Sequence, residues 1–182
     1  MLNILEINEE ISKNICICLS SSKVCGIELR KTHYKLGIEL ARFILKNKNI
    51  KNKNIAVIMF LRAGLPFGLG LSDELETNGN NVDIFFDSLN CLNEKYDYII
   101  FADAVINSGK TIIKEIDKIN NFDNVIIATN VLSNKNIDIL SKYNIYAVRT
   151  SNNSYIGSKD KLIVDGRGPD TGDRLFSNSL YI

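Results

Sequence analysis

The sequence predicts an α/β protein, with a mostly parallel central sheet flanked by helices, and three observations carry that expectation. Short β-branched or aromatic runs recur along the chain, stretches of helical period separate them, and turn residues bound nearly every run. Strand, helix and strand repeated in this way imply βαβ units with right-handed crossovers. With 182 residues, the simplest organisation is a single domain over 1–182, long enough to bury its own core.

The first long element is IELRKTHYKLGIELARFILKN, residues 27–47, whose Ile27, Leu36, Leu40, Phe43 and Ile44 recur near a 3.6-residue period. KNKNIKNKN (46–54) is brief, polar and of low complexity, and reads as a solvated loop. IAVIMF (55–60), VDIFF (82–86), YIIFA (98–102) and VIIATNV (125–131) predict buried strands. YNIYAV (143–148) and KLIV (161–164) give weaker strand signals. A glycine-punctuated helix follows the first strand, and shorter helices are predicted over 108–120 and 134–143.

Composition excludes several classes of function. An apolar fraction of 45% and a charged fraction of 24% are ordinary for a globular protein. A net charge of +1 offers no basic face for nucleic acid, although a small anion held by local groups is compatible with it. No apolar run approaches the ~20 residues of a membrane span, and the acidic start lacks a secretory pattern, so a cytoplasmic location is expected. Cys16, Cys18, Cys25 and Cys91 do not take zinc-pair spacing with the single His33, so free thiols are expected.

Three segments carry the functional signal. In FADAVINSGKT (101–111), Asp103 stands at the end of a buried run, where ligands collect in parallel sheets. The turn Asn107, Ser108, Gly109, Lys110 and Thr111 would offer backbone N–H groups and hydroxyls to an anion, while Asp103 could accept from ribose hydroxyls. The same residues also suit a capped crossover helix after a strand end. SGKT does not complete a P-loop, because Ala104 stands where that pattern needs its first glycine. In FLRAGLPFGLG (60–70), Arg62 could neutralise a phosphate beside the small Ala63 and Gly64, or could simply follow a tight βα turn. IVDGRGPDTGDRLF (163–176) gathers acids and glycines that suggest Mg²⁺ held partly through water, with Leu175 and Phe176 as an anchor; a solvated loop is the alternative.

These segments, in this order, resemble the uracil phosphoribosyltransferases of the type I phosphoribosyltransferase fold. LRAGLP (61–66) is similar to the family's pyrophosphate-contacting segment, DAVINSGKT (103–111) to its ribose-phosphate loop, and GRGPDTGDRLF (166–176) to its base and magnesium segment. LRK (29–31) and ELA (39–41) add a less specific likeness, which runs from about residue 24 onward. A single acid, Asp103 followed by Ala104, matches the uracil branch. The resemblance implies transfer of the 5-phosphoribosyl group from phosphoribosyl pyrophosphate to a nucleobase, most simply uracil. It implies that Asp103 holds the ribose, residues 107–111 the 5′-phosphate, Arg62 with Ala63 and Gly64 the pyrophosphate, and Asp170 the Mg²⁺. Val164, Asp165, Gly166 and Gly168 would meet the base, and a homodimer is the implied assembly.

The chain also departs from the family's pattern. Only SLNCLNEKYD (88–97) follows Phe85, Phe86 and Asp87, in place of an arginine-containing flap. Asp165 replaces a proline beside the base, and Pro169 is an extra residue before Asp170. A sensor module that binds phosphoribosyl pyrophosphate without turnover is therefore the alternative, as is transfer to another acceptor.

Overall fold

The computed structural model describes residues 1–89, 96–119, 123–152 and 170–176. Six strands form one sheet: β1 (Leu2–Ile4), β2 (Asn54–Met59), β3 (Asn81–Phe86), β4 (Tyr98–Ile106), β5 (Val125–Ser133) and β6 (Asn144–Ser151). Their order is β1-β6-β5-β4-β2-β3, and every neighbouring pair is parallel. The helices are α1 (Glu9–Cys18), α2 (Gly26–Asn47), α3 (Gly64–Thr77), α4 (Lys110–Ile116), α5 (Ile137–Leu140) and α6 (Thr171–Phe176). The α/β class read from the sequence is the one observed.

Both faces of the sheet are covered, which explains why its central strands are continuous apolar runs. On one face Ile55, Val57, Met59, Ile100 and Ala102 pack against α2 and α3 through Leu36, Leu40, Phe67 and Leu71. Alternate residues of the same strands, Ala56, Ile58 and Phe101, join Ile112 and Ile116 of α4 and Leu140 of α5 on the other.

This two-sided arrangement fixes where a crevice can open. The connection leaving β2 crosses on one face and that leaving β4 on the other, so the β2–β4 boundary is a topological switch point. The β2–β4 ladder ends at the Met59–Ala102 pair, whereas β4 continues to Ile106 beside β5. Asp103 is thus the first β4 residue without a β2 neighbour.

Several boundaries differ from expectation for local reasons. Asp103 lies inside β4, because pairing with β5 carries the strand beyond the apolar run. The helix expected over 108–120 is confined to Lys110–Ile116, its start set by Gly109 at φ 67. Residues 134–143 form a 3₁₀ turn and the short α5 rather than one helix. In α2 the buried stripe is Leu29, Leu36, Leu40 and Ile44; Ile27 is 61% exposed, about 200° around the helix from Leu29. Strand β1, helix α1 and helix α6 were not anticipated. KLIV (161–164) lies outside the described residues, as does Cys91. Among the described residues no helix is long and apolar enough to cross a membrane.

Candidate functional site

A cavity of about 410 Å³ opens outside the carboxyl ends of β2, β4, β5 and β6, a volume suited to a small-molecule ligand. Arg62 and Ala63 reach it from the loop after β2, and Asp103, Val105 and Asn107 from β4 and its turn. Asn130 on β5 and Arg149 and Ser151 on β6 form another side. Asp170, Thr171 and Gly172 enter at the start of α6, while Cys18, Ser20 and His33 come from α1, the following turn and α2.

Asp103 retains accessible surface toward the cavity but sits deep beneath the molecular surface, and depth governs its chemistry. Burial pushes its carboxyl up to about 7, against the lowering effect of the Val105 and Ala104 backbone N–H groups. The negative charges of Asp170 and Asp87 push the same way as burial. Such a group readily binds hydroxyls in either protonation state, and an approaching cation would favour its ionised form.

The loop after β2 is held from three directions. Asp87, at φ 59, accepts a 2.8 Å hydrogen bond at Oδ1 from the Leu61 N–H. Arg62 donates from Nη2 to Asp173 Oδ1 in an ion pair with α6, and the Leu61–Arg62 peptide is cis. Gly64 begins α3 against β4; a Cβ there would lie 2.7 Å from the Ala102 carbonyl oxygen. That contact explains the small residue without requiring the ligand to touch it.

The turn after β4 contributes less to the cavity than the sequence suggested. Asn107 lines it, and the Asn107 carbonyl accepts from Asn136 Nδ2. Ser108, Lys110 and Thr111 are exposed and, with Gly64 and the buried Gly109, do not line it. Ser108 Oγ accepts from the Lys110 N–H at 3.4 Å, while Gly109 occupies the position before the helix.

Asp170 has a structural use. Its Oδ1 accepts from the Asp173 N–H at 3.0 Å, and its carbonyl accepts from the Arg174 N–H at 3.0 Å, closing the first turn of α6. Leu175 is fully buried, as expected of an anchor, but Phe176 is 37% exposed with Arg30 over its ring. Among the described residues no group of three His, Cys, Asp or Glu side chains could hold a metal.

Of the residues singled out in the sequence, Arg62, Ala63, Asp103, Asn107 and Asp170 converge on one cavity. Val164, Asp165, Gly166 and Gly168 lie outside the described residues. Sequence reasoning missed Cys18, His33, Asn130 and Arg149. Asn130 within VIIATNV, Arg149 directly after YNIYAV, and the chain's single histidine were the available signals.

Fold and site together define an α/β protein with a ligand cavity at its switch point, a deep carboxyl in its floor and an arginine to either side. Among solved structures, the AQ2163 protein from Aquifex aeolicus is similar over nearly the whole length: 97% of this chain and 98% of that one, with a TM-score of 0.68 and 16% identity. That likeness shows a shared fold. Hypoxanthine-guanine phosphoribosyltransferase from Schistosoma mansoni, solved with IMP, aligns over 63% of each chain at 17% identity and a TM-score of 0.42. No protein-family model matches the chain, and no curated protein does.

Proposed function

We propose that the chain is a phosphoribosyltransferase, moving the 5-phosphoribosyl group of phosphoribosyl pyrophosphate onto a nitrogen heterocycle. The observation that carries this reading is the convergence of Arg62, Asp103, Asn107 and Asp170, from three separated motifs, on one cavity at the β2–β4 switch point. In this reading Asp103 accepts from the ribose hydroxyls and Asn107 marks the 5′-phosphate end. Arg62 and Ala63 face the pyrophosphate, and Mg²⁺ enters as part of that substrate with Asp170 beside it. The C1–oxygen bond breaks with its electron pair leaving on pyrophosphate, a ring nitrogen supplies the new bond to C1, and that nitrogen loses its proton. The protein's part is positioning and charge stabilisation. Uracil is the acceptor suggested by the motif resemblance.

A second reading, a non-catalytic sensor, is favoured by the short β3–β4 connection over 87–97, which offers little chain to close over the cavity. The deciding experiment incubates the protein with Mg²⁺, phosphoribosyl pyrophosphate and a panel of heterocycles, and measures pyrophosphate release and new nucleotide by mass spectrometry. Turnover that falls about a hundredfold in Asp103→Asn supports the enzyme. Stabilisation by phosphoribosyl pyrophosphate without product from any acceptor supports the sensor.

A further inference from the structure

The side of the cavity remote from Arg62 has an unusual charge economy. Arg149 is half-buried on β6, in register with Val131 on β5. Its Nε is buried without a hydrogen bond, and among the described residues it has neither a carboxylate nor a hydrogen-bond partner. Arg174 adds a second positive charge nearby, but its guanidinium is occupied by the Cys18, Val24 and Ser22 oxygens.

Neutral groups with unused bonding capacity surround Arg149. His33 is 1% exposed and neither ring nitrogen has a partner. Burial, reinforced by Arg174 and Arg149, drops its imidazole to about 3, so it is uncharged at neutral pH. Asn130 is also 1% exposed, and its amide nitrogen and oxygen make no bond of good geometry; its amide lies beside Cys18, whose thiol burial keeps protonated. Buried polar atoms and a half-buried cation left in this state are costly unless a ligand completes them.

We propose that His33, Asn130 and Arg149 form the acceptor subsite, and that the acceptor is a heteroaromatic ring bearing a carboxylate, which pairs with Arg149. A planar carboxylate matches the guanidinium fork, and the imidazole and amide can each donate to or accept from ring heteroatoms. A neutral ring such as uracil would leave the Arg149 charge uncompensated, so this subsite selects against the acceptor suggested by the motifs. The assignment rests on the phosphoribosyltransferase reading for the other half of the cavity.

The test uses two matched pairs: uracil against uracil-6-carboxylate, and pyridine-3-carboxamide against pyridine-3-carboxylate. Each is titrated calorimetrically into the full chain with saturating Mg²⁺ and phosphoribosyl pyrophosphate, for the wild type and Arg149→Met. In at least one pair the carboxylate should bind about tenfold tighter or more, and Arg149→Met should erase that preference. The variant should keep the thermal shift given by phosphoribosyl pyrophosphate, with an unliganded melting temperature at or above that of the wild type. No carboxylate preference in either pair, or a preference that survives Arg149→Met, overturns the subsite. An Arg149-dependent preference without any shift from phosphoribosyl pyrophosphate would instead keep the subsite and sink the phosphoribosyltransferase reading.

Discussion

Arg62 and Asp173 are paired across 111 positions of sequence, joining the loop after β2 to the first turn of α6. Because Asp170 closes that same turn, two motifs that line the cavity are mechanically one unit. The Arg62 side chain is still 53% exposed, so the pair holds geometry more than it adds stability.

Breaking this pair from its two ends should give different results. Asp173→Asn should change folding stability by less than about 1 kcal/mol and leave Arg62 able to meet pyrophosphate. Arg62→Ala should weaken phosphoribosyl pyrophosphate binding or turnover by roughly a hundredfold. Equal losses from both variants would show that Arg62 acts only through α6.

Asp103 and His33 should pull stability in opposite directions with pH. Asp103 titrates near 7 in the folded chain against an ordinary value of 3.8, so the folded state holds a proton that the unfolded state releases. Its contribution is complete below 3.8 and is lost as pH rises through 7. His33 titrates near 3 against an ordinary 6.5, so its contribution is present above 6.5 and lost as pH falls toward 3. Relative to wild type, Asp103→Asn should become more stable as pH rises between about 4 and 7. His33→Gln should show the reverse trend between about 6.5 and 3. Urea midpoints across pH 3–8 measure both, and curves parallel to the wild type would refute the assignments.

Arg174 is 2% exposed and fixes the segment between α1 and α2 through carbonyl bonds to Cys18 at 3.1 Å and Val24 at 2.8 Å. Arg174→Met should cost about 2–4 kcal/mol by leaving buried carbonyls unmatched. Chemical denaturation would read the loss, and faster amide exchange over 17–24 would localise it.

Gly64→Ala would drive a Cβ to within 2.7 Å of the Ala102 carbonyl oxygen. A loss of about 1–3 kcal/mol is expected, as for overpacking elsewhere. A thermal midpoint unchanged from wild type would mean that the start of α3 can shift without penalty.

The legible part of the site follows the local nature of its signals. Arg62 and Asn107 sit where a buried strand gives way to a turn, and Asp103 closes the apolar run YIIFA within β4, so apolar runs and small residues pointed to them. Ser108, Lys110 and Thr111 looked equivalent in sequence, yet left-handed Gly109 turns the chain so that they are exposed. Asp170, expected as a metal ligand, lines the cavity and caps α6, and that cap depends on a short helix that no motif signals.

By itself, the sequence determined the parallel α/β sheet and the buried strands β2, β4 and β5, because solvent exclusion on two faces imposes a local apolar pattern; β3, also expected to be buried, is instead the sheet's exposed edge, since strand order and not composition decides which apolar run is flanked. Tertiary structure alone decided that Arg149, His33 and Asn130 share a cavity with Asp103. Those side chains come from β6, α2 and β5, and their meeting depends on strand order and helix placement. Periodicity records which face of an element is buried, but not which distant element it is buried against.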